Sequence, residues 1–266
     1  MKISNKQPRK TADISSARGS TLREFWKLVL SAIVLLAGLY VIIGFAVDQM
    51  VARISVETEA KIFQTLQPRQ TDPPTEQDRQ RLARARKILE RFKKDSRVPL
   101  LPYTLILVKN DVPNAFAFPG GAIGLTTGLL EVLTQDIEIA FVIGHELGHF
   151  AGRDHLQGLG RTAGLGMAMA ILFDTGYGAE WFANIINFVF QRGYSQEREI
   201  QADRFGLELV FDVYGKVEGT DRLFSLLLEK KDLPKWAYMF ATHPSPKDRI
   251  RNLEKIAQEL LDRKSS

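Results

Sequence analysis

The twenty residues Leu28–Val47, LVLSAIVLLAGLYVIIGFAV, contain no charged side chain. As a helix they rise about 30 Å, the thickness of a bilayer's hydrocarbon core. A buried helix of a water-soluble domain usually keeps a polar stripe, and this stretch has none. It is therefore read as one transmembrane helix. A cleaved secretory signal is the rival, with Gly44-Phe45-Ala46 as a small-residue cleavage site. Secretory cores run about 7–15 residues, so the longer stretch reads as an uncleaved anchor.

The charges around the anchor set its direction. The chain carries a net +5. Residues 1–27 hold Lys2, Lys6, Arg9, Lys10, Arg18, Arg23 and Lys27 against Asp13 and Glu24, which is the whole surplus. The other 239 residues are balanced, with 29 bases and 29 acids. A balanced domain offers no footprint for a phosphate backbone, so no nucleic-acid partner is expected. The positive-inside rule puts the basic tail in the cytoplasm and the rest across the membrane. The expectation is a single-pass protein of a bacterial inner membrane, with its main domain on the periplasmic side. There are no cysteines, which excludes disulfides, thiolate metal ligands and a cysteine nucleophile.

The rest of the chain divides at its turn signals. Residues 1–27 read as a basic tail, disordered over 1–20, and 28–47 as the anchor. Residues 48–74 read as a juxtamembrane linker, closed by the prolines of QPRQTDPPTEQ. Residues 75–263 form the main domain. Thr75 reads as the N-cap of a helix to about Lys94, with Leu82, Ala85, Leu89 and Phe92 on its inner face. Tyr103–Val108, Ala115–Phe118 and Ala122–Thr126 read as strands. Everything beyond Thr127 reads as helix and loop. TAGLGMAMAILF (162–173) and WFANIINFVF (181–190) are apolar but short for a membrane span. They read as buried core helices, or as a flap against the membrane or a cleft. The fold class is α+β, mainly helical, with a small sheet, preceded by one transmembrane helix.

One helix carries chemistry. In GHELGHFAGRDH, His145 and His149 are four apart and share a face. Both imidazoles can reach one metal ion. Glu146 then projects beside it, placed to take a proton from water and deliver it to a leaving amine. A third ligand must come from elsewhere. Two candidates remain at this point. His155 and Gly152 complete the pattern HExxHxxGxxH, although no methionine downstream sits in a persuasive turn. Alternatively, Glu199 and Asp203 in YSQEREIQADRF share a helix face behind a Ser195 cap. One carboxylate could bind metal while the other holds a ligating histidine from behind. The plain alternative for that helix is a solvated charged surface.

NAFAFPGG (Asn114–Gly121), GHELGH (Gly144–His149), EIQAD (Glu199–Asp203) and THPSPKDRI (Thr242–Ile250) follow one another along the chain. On these motifs, from roughly Tyr103 to Leu253, the chain resembles the membrane-associated gluzincin zinc metallopeptidases of peptidase family M48. The resemblance implies a zincin-like fold and one Zn²⁺ per chain on His145, His149 and Glu199. It makes Glu146 the base and Asp203 a support behind a ligand. It brings His243, in the loop before Pro246, to the metal, as a blocking ligand or as an oxyanion partner. Arg249 would brace that loop. Asn114, Ala115, Phe116 and Ala117 would form an edge strand that pairs with extended peptide, which suits unfolded or damaged protein substrates. Arg153-Asp154-His155 stands where many members have Arg-His, and Gln196 where many have Arg. The expected activity is peptide-bond hydrolysis. A non-catalytic chaperone or adaptor on the same fold is the alternative, and Glu146 argues against it.

Overall fold

The computed structural model describes residues 14–63, 73–173, 194–229 and 246–265. The chain falls into two compact units, residues 1–46 and residues 47–266.

Helix α1, Ile14–Arg53, runs through both. Its stretch Thr21–Arg53 is long and apolar enough to cross a membrane. Leu28, Leu35, Val41, Ile42 and Phe45 are all exposed within it, and the charged side chains Arg23, Glu24, Lys27 and Asp48 lie toward its two ends. The helix starts at Ile14, inside the tail expected to be disordered. A nucleated helix extends at little cost where no proline or glycine pair stops it. At its other end the helix passes Asp48 and stops at Arg53. Ser55 then opens α2, Val56–Phe63, by accepting the Thr58 N–H on its hydroxyl.

The second unit is built on α5, Asp136–Ala151. Every residue from Ile137 to Phe150 in it is buried. Such a helix needs partners on all sides. On one side lies α3, Glu76–Phe92, opened by the Thr75 hydroxyl, with Leu82, Ala85, Ile88, Leu89 and Phe92 turned inward. It ends at Phe92, one turn's fraction short of Lys94. On another side lies α7, Gln196–Tyr214. A Cβ on Gly144 would stand 2.9 Å from Gly206 Cα, and one on Gly148 would stand 2.7 Å from Ala202 Cα. The two helices therefore run antiparallel with their backbones in contact, and side chains at 145, 149, 199 and 203 crowd onto one seam.

The sheet is small. Strands β1 (Thr104–Val108), β2 (Ala115–Phe118) and β3 (Ala122–Thr126) lie in the order β1-β3-β2. β1 pairs β3 parallel, and β2 pairs β3 antiparallel with Phe116 opposite Gly124. Gly124 lacks a side chain where the Phe116 ring lies. The β2–β3 turn needs left-handed backbone at Gly120 (φ 83°) and Gly121 (φ 97°). Among the described residues β2 is an edge strand. Helix α4, Thr127–Val132, follows the sheet. Helix α6, Asp154–Phe173, follows α5 after a corner at Arg153. Helix α8 spans Arg222–Glu229, and helix α9, Pro246–Ser265, packs against both α7 and α8. The segment 181–190 lies outside the described residues.

Candidate metal centre and cleft

The seam between α5 and α7 gathers His145, His149 and Glu199, all buried, with one donor atom from each within 4.8 Å of the others. His145 Nε2 is 3.1 Å from His149 Nε2 and 3.6 Å from Glu199 Oε2, and His149 Nε2 is 3.5 Å from Glu199 Oε1. Zinc at about 2.0–2.1 Å from three tetrahedral donors would space them about 3.3–3.4 Å apart. The donor set and its spacing fit that ion.

Each imidazole is turned by a carboxylate on its far nitrogen. His145 Nδ1 lies 2.9 Å from Asp203 Oδ1, and His149 Nδ1 lies 2.8 Å from Asp154 Oδ2. The hydrogen bonds select the tautomer that leaves Nε2 as the lone-pair donor in both rings. Asp203 stands where its spacing from Glu199 placed it. Asp154 was missed. Its signal was an acid five residues after His149, in the triplet noted only as a departure from the resemblance.

Electrostatics favour a cation. Four carboxyl groups, Glu146, Asp154, Glu199 and Asp203, face two guanidiniums, Arg198 and Arg249. Burial alone would push the His149 imidazole down, but Asp154, Glu199 and Glu146 outweigh it and hold it up at about 9. His145 goes the other way: burial and the neighbouring Arg249 charge hold it below its ordinary value, against the pull of Asp203. Burial would raise Asp203, and the Arg249 charge reverses this and keeps its carboxyl low.

Glu146 lies one residue from His145 and is 1% exposed. Its Oε2 is buried without a hydrogen-bond partner. A carboxylate oxygen in that condition is costly unless a ligand or reactant meets it. Beside it a cavity is lined by Ala115, Phe141, Val142, His145, Leu223 and Phe224. Ala115 belongs to β2, so the edge strand and the α5 helix form two walls of one cleft. Of the other strand residues expected at the cleft, Asn114 is buried and accepts the Ala115 N–H on its own side chain at 3.0 Å. Phe116 stacks edge-on against Phe118 at 5.0 Å, and Ala117 is buried.

Arg249 reaches past its loop into the centre. Its Nη1 is 3.0 Å from Glu199 Oε2, its Nε donates to Asp203 Oδ2 at 2.8 Å, and its guanidinium lies over the Phe224 ring. The expectation of a loop brace understated this. His155 is buried but turned away from the seam, with Nε2 2.8 Å from Glu59 Oε1. Helix α6 begins at Asp154, so the chain does not make the turn that would bring His155 back to the other two histidines. His243 lies outside the described residues. Tyr194, also unforeseen, packs its ring 4.0 Å from that of His149.

The comparisons agree on one family. The family model described as Peptidase family M48 matches residues 79–257, well over half of the chain. A mitochondrial metalloendopeptidase OMA1 of Danio rerio is 25% identical, over 62% of this chain and 37% of its own length. A protease HtpX homolog of Salinibacter ruber is 27% identical, over 64% of this chain and 73% of its own. A beta-barrel assembly-enhancing protease of Yersinia pestis is 26% identical, over 60% of this chain and 35% of its own. The chain spans between about a third and a half of the length of the curated OMA1 relatives it matches.

Proposed function

This chain belongs to peptidase family M48, and we propose that it is a membrane-anchored zinc metalloendopeptidase that hydrolyses peptide bonds of unfolded or damaged proteins in quality control. The observation that carries this reading is the buried His145–His149–Glu199 cluster with the unpartnered Glu146 oxygen beside it. Zinc bound by those three residues supplies Lewis acidity, bringing the pKa of a water toward about 7.

The chain's own groups do the remaining work. Glu146 takes the proton of the attacking water and gives it to the departing amine nitrogen. Asp203 and Asp154 keep both histidine rings aimed with Nε2 inward. Arg249 balances the ligand Glu199 and its neighbour Asp203, so the carboxylates do not repel one another out of place. Main-chain groups of β2 take an extended peptide as an added strand, which gives little sequence preference. The cavity flanked by Phe141, Val142, Leu223 and Phe224 takes an apolar side chain. His243 keeps the role that the resemblance implies, at the metal. The reading places the protein in a bacterial inner membrane with this machinery on the periplasmic side.

The test is direct. Full-length protein in detergent should contain one zinc per chain and cleave casein, and chelation should abolish cleavage until zinc is restored. Zinc-loaded protein that binds casein without cutting it would favour the adaptor reading instead.

A further inference from the structure

The corner that follows the metal-binding helix is tied to the segment that leaves the apolar helix. Glu59, on α2, is 2% exposed. Its Oε1 accepts the Gly120 N–H at 3.0 Å and lies 2.8 Å from His155 Nε2. Its Oε2 lies 3.2 Å from an Arg153 nitrogen. Gly120 is in the β2–β3 turn, directly after the edge strand. His155 and Arg153 are in the corner directly after α5. One buried carboxylate therefore touches both walls of the cleft described above.

The corner itself is over-determined. Arg153 holds φ 58°, a left-handed backbone that costs a non-glycine residue about 1–2 kcal/mol. It persists because its guanidinium donates to the carbonyls of Val51 (3.1 Å) and Ile54 at the end of α1, as well as meeting Glu59. The Val51 carbonyl lies in the last turn of α1, where it also accepts the Ile54 N–H at 3.2 Å, and the Ile54 carbonyl follows the helix end. Asp154, between the two, holds His149. Burial would raise the Glu59 carboxyl, yet the His155 contact, Gly120 and Arg153 prevail and keep it below its ordinary value. The group thus rests as an anion with donors on each side.

Proceeding from the peptidase reading, we propose that Glu59 is a positioning residue for peptide binding: it fixes the separation of the edge strand β2 from the α5 helix, so that docking of the juxtamembrane segment sets the width of the substrate cleft. Glu59 touches neither metal ligand nor substrate. It acts through Gly120 and His155. Its removal leaves the zinc donors in place but frees the edge strand to shift, and an added strand that is off by a fraction of an ångström loses hydrogen bonds along its length.

Binding is the readout, measured on the full chain carrying Glu146→Gln, which keeps its ligands but cannot turn substrate over. Fluorescence anisotropy with a labelled casein-derived peptide gives Kd. Adding Glu59→Ala should raise Kd at least fivefold while zinc stays at one per chain. Adding Glu59→Gln, which keeps an oxygen acceptor for Gly120 and His155, should return Kd to within twofold. A folded, zinc-loaded Glu59→Ala chain with unchanged Kd overturns the proposal, and so does a Glu59→Gln chain as weak as Glu59→Ala. If Glu59→Ala does not fold, His155→Ala is measured in its place, since it cuts the closer of the two ties to the corner after α5 and leaves the Gly120 tie intact. The same rise is expected, and an unchanged Kd overturns the proposal. Casein cleavage by the unsubstituted chain is assayed separately, so failure of the peptidase reading is seen apart from failure of this one.

Discussion

Glu199 and His155 are the two residues that could complete the pair His145–His149, and the side chains answer differently. Glu199 lies within 3.6 Å of both Nε2 atoms, whereas His155 is engaged by Glu59. Glu199→Ala should therefore lose zinc and cleavage together, while His155→Ala keeps its zinc. Glu146→Gln should keep zinc and lose roughly 10²–10⁴ in kcat, because the ligands survive and the base does not. Metal analysis and peptide hydrolysis on the three purified proteins decide this; full zinc in Glu199→Ala with loss in His155→Ala would reverse the assignment. The carboxylates behind the histidines offer a finer test. Asp154→Asn should weaken zinc affinity by about 10–100-fold, read by competition with a chelator. Asp203→Asn should cost more, because it also leaves the buried Arg249 guanidinium with one carboxylate fewer. Equal affinities for both variants and the parent would remove these residues from the centre. At this scale the sequence displayed the residues with fixed helical spacing: the pair 145 and 149, and the pair 199 and 203. Asp154 acts at a sequence separation of 5, Arg249 at 50 and Glu59 at 61 to 96, in no period, so spacing alone carried no sign of them.

At the scale of elements, the seam exists because two helices approach without side chains between them. The HELGH helix carries Gly144 and Gly148 on the face opposite Ala202 and Gly206. A Cβ at Gly206 would meet the backbone nitrogen of His145 at 2.7 Å, and a helix backbone cannot give way locally. Gly206→Ala should force the helices apart, cost about 1–3 kcal/mol or more, and loosen zinc, since His145 and Glu199 sit on opposite sides of the contact. Thermal unfolding and zinc content measure it, and an alanine variant with parental Tm and affinity would refute the close packing. Elements were readable where one signal dominated. The Thr75 cap and the inward stripe Leu82–Phe92 marked α3, and the Pro119-Gly120-Gly121 turn marked the β2–β3 hairpin. What propensity could not show was pairing. The parallel match of β1 with β3 and the antiparallel match of α5 with α7 join residues far apart in sequence. The small residues that allow the helix contact look, in a string of letters, like ordinary helix weakeners. The Ser195 cap shows the limit from the other side: it stands at the N-cap position just ahead of α7 but makes no side-chain cap bond.

For the whole molecule the decisive quantity is where the charge lies. The surplus of +5 is confined to residues 1–27, ahead of a helical stretch, Thr21–Arg53, that is apolar enough to cross a bilayer. The remaining residues carry equal numbers of acids and bases and impose no orientation of their own. Basic residues beside a first span are held on the cytoplasmic side because moving them across is opposed by the membrane potential, about 2.3 kcal/mol per charge per 100 mV. Seven bases in the flank outweigh its two acids. The end of the same helix is fastened on the other side of the apolar stretch, with Asp48 paired to Arg161 at 2.5 Å and the Val51 carbonyl bound by Arg153. Only two residues, Ile54 and Ser55, separate α1 from α2. Alkaline phosphatase fused after Ser266 in a bacterial host should be active, because that enzyme folds only outside the cytoplasm, and a reporter that works only in the cytoplasm should be silent at the same position. Reversing the flank, by replacing Lys2, Lys6, Arg9 and Lys10 with glutamate, should lower the phosphatase signal and raise the cytoplasmic one. An inactive phosphatase fusion with an active cytoplasmic reporter on the unaltered chain would place His145, His149 and Glu199 inside the cell and overturn this orientation.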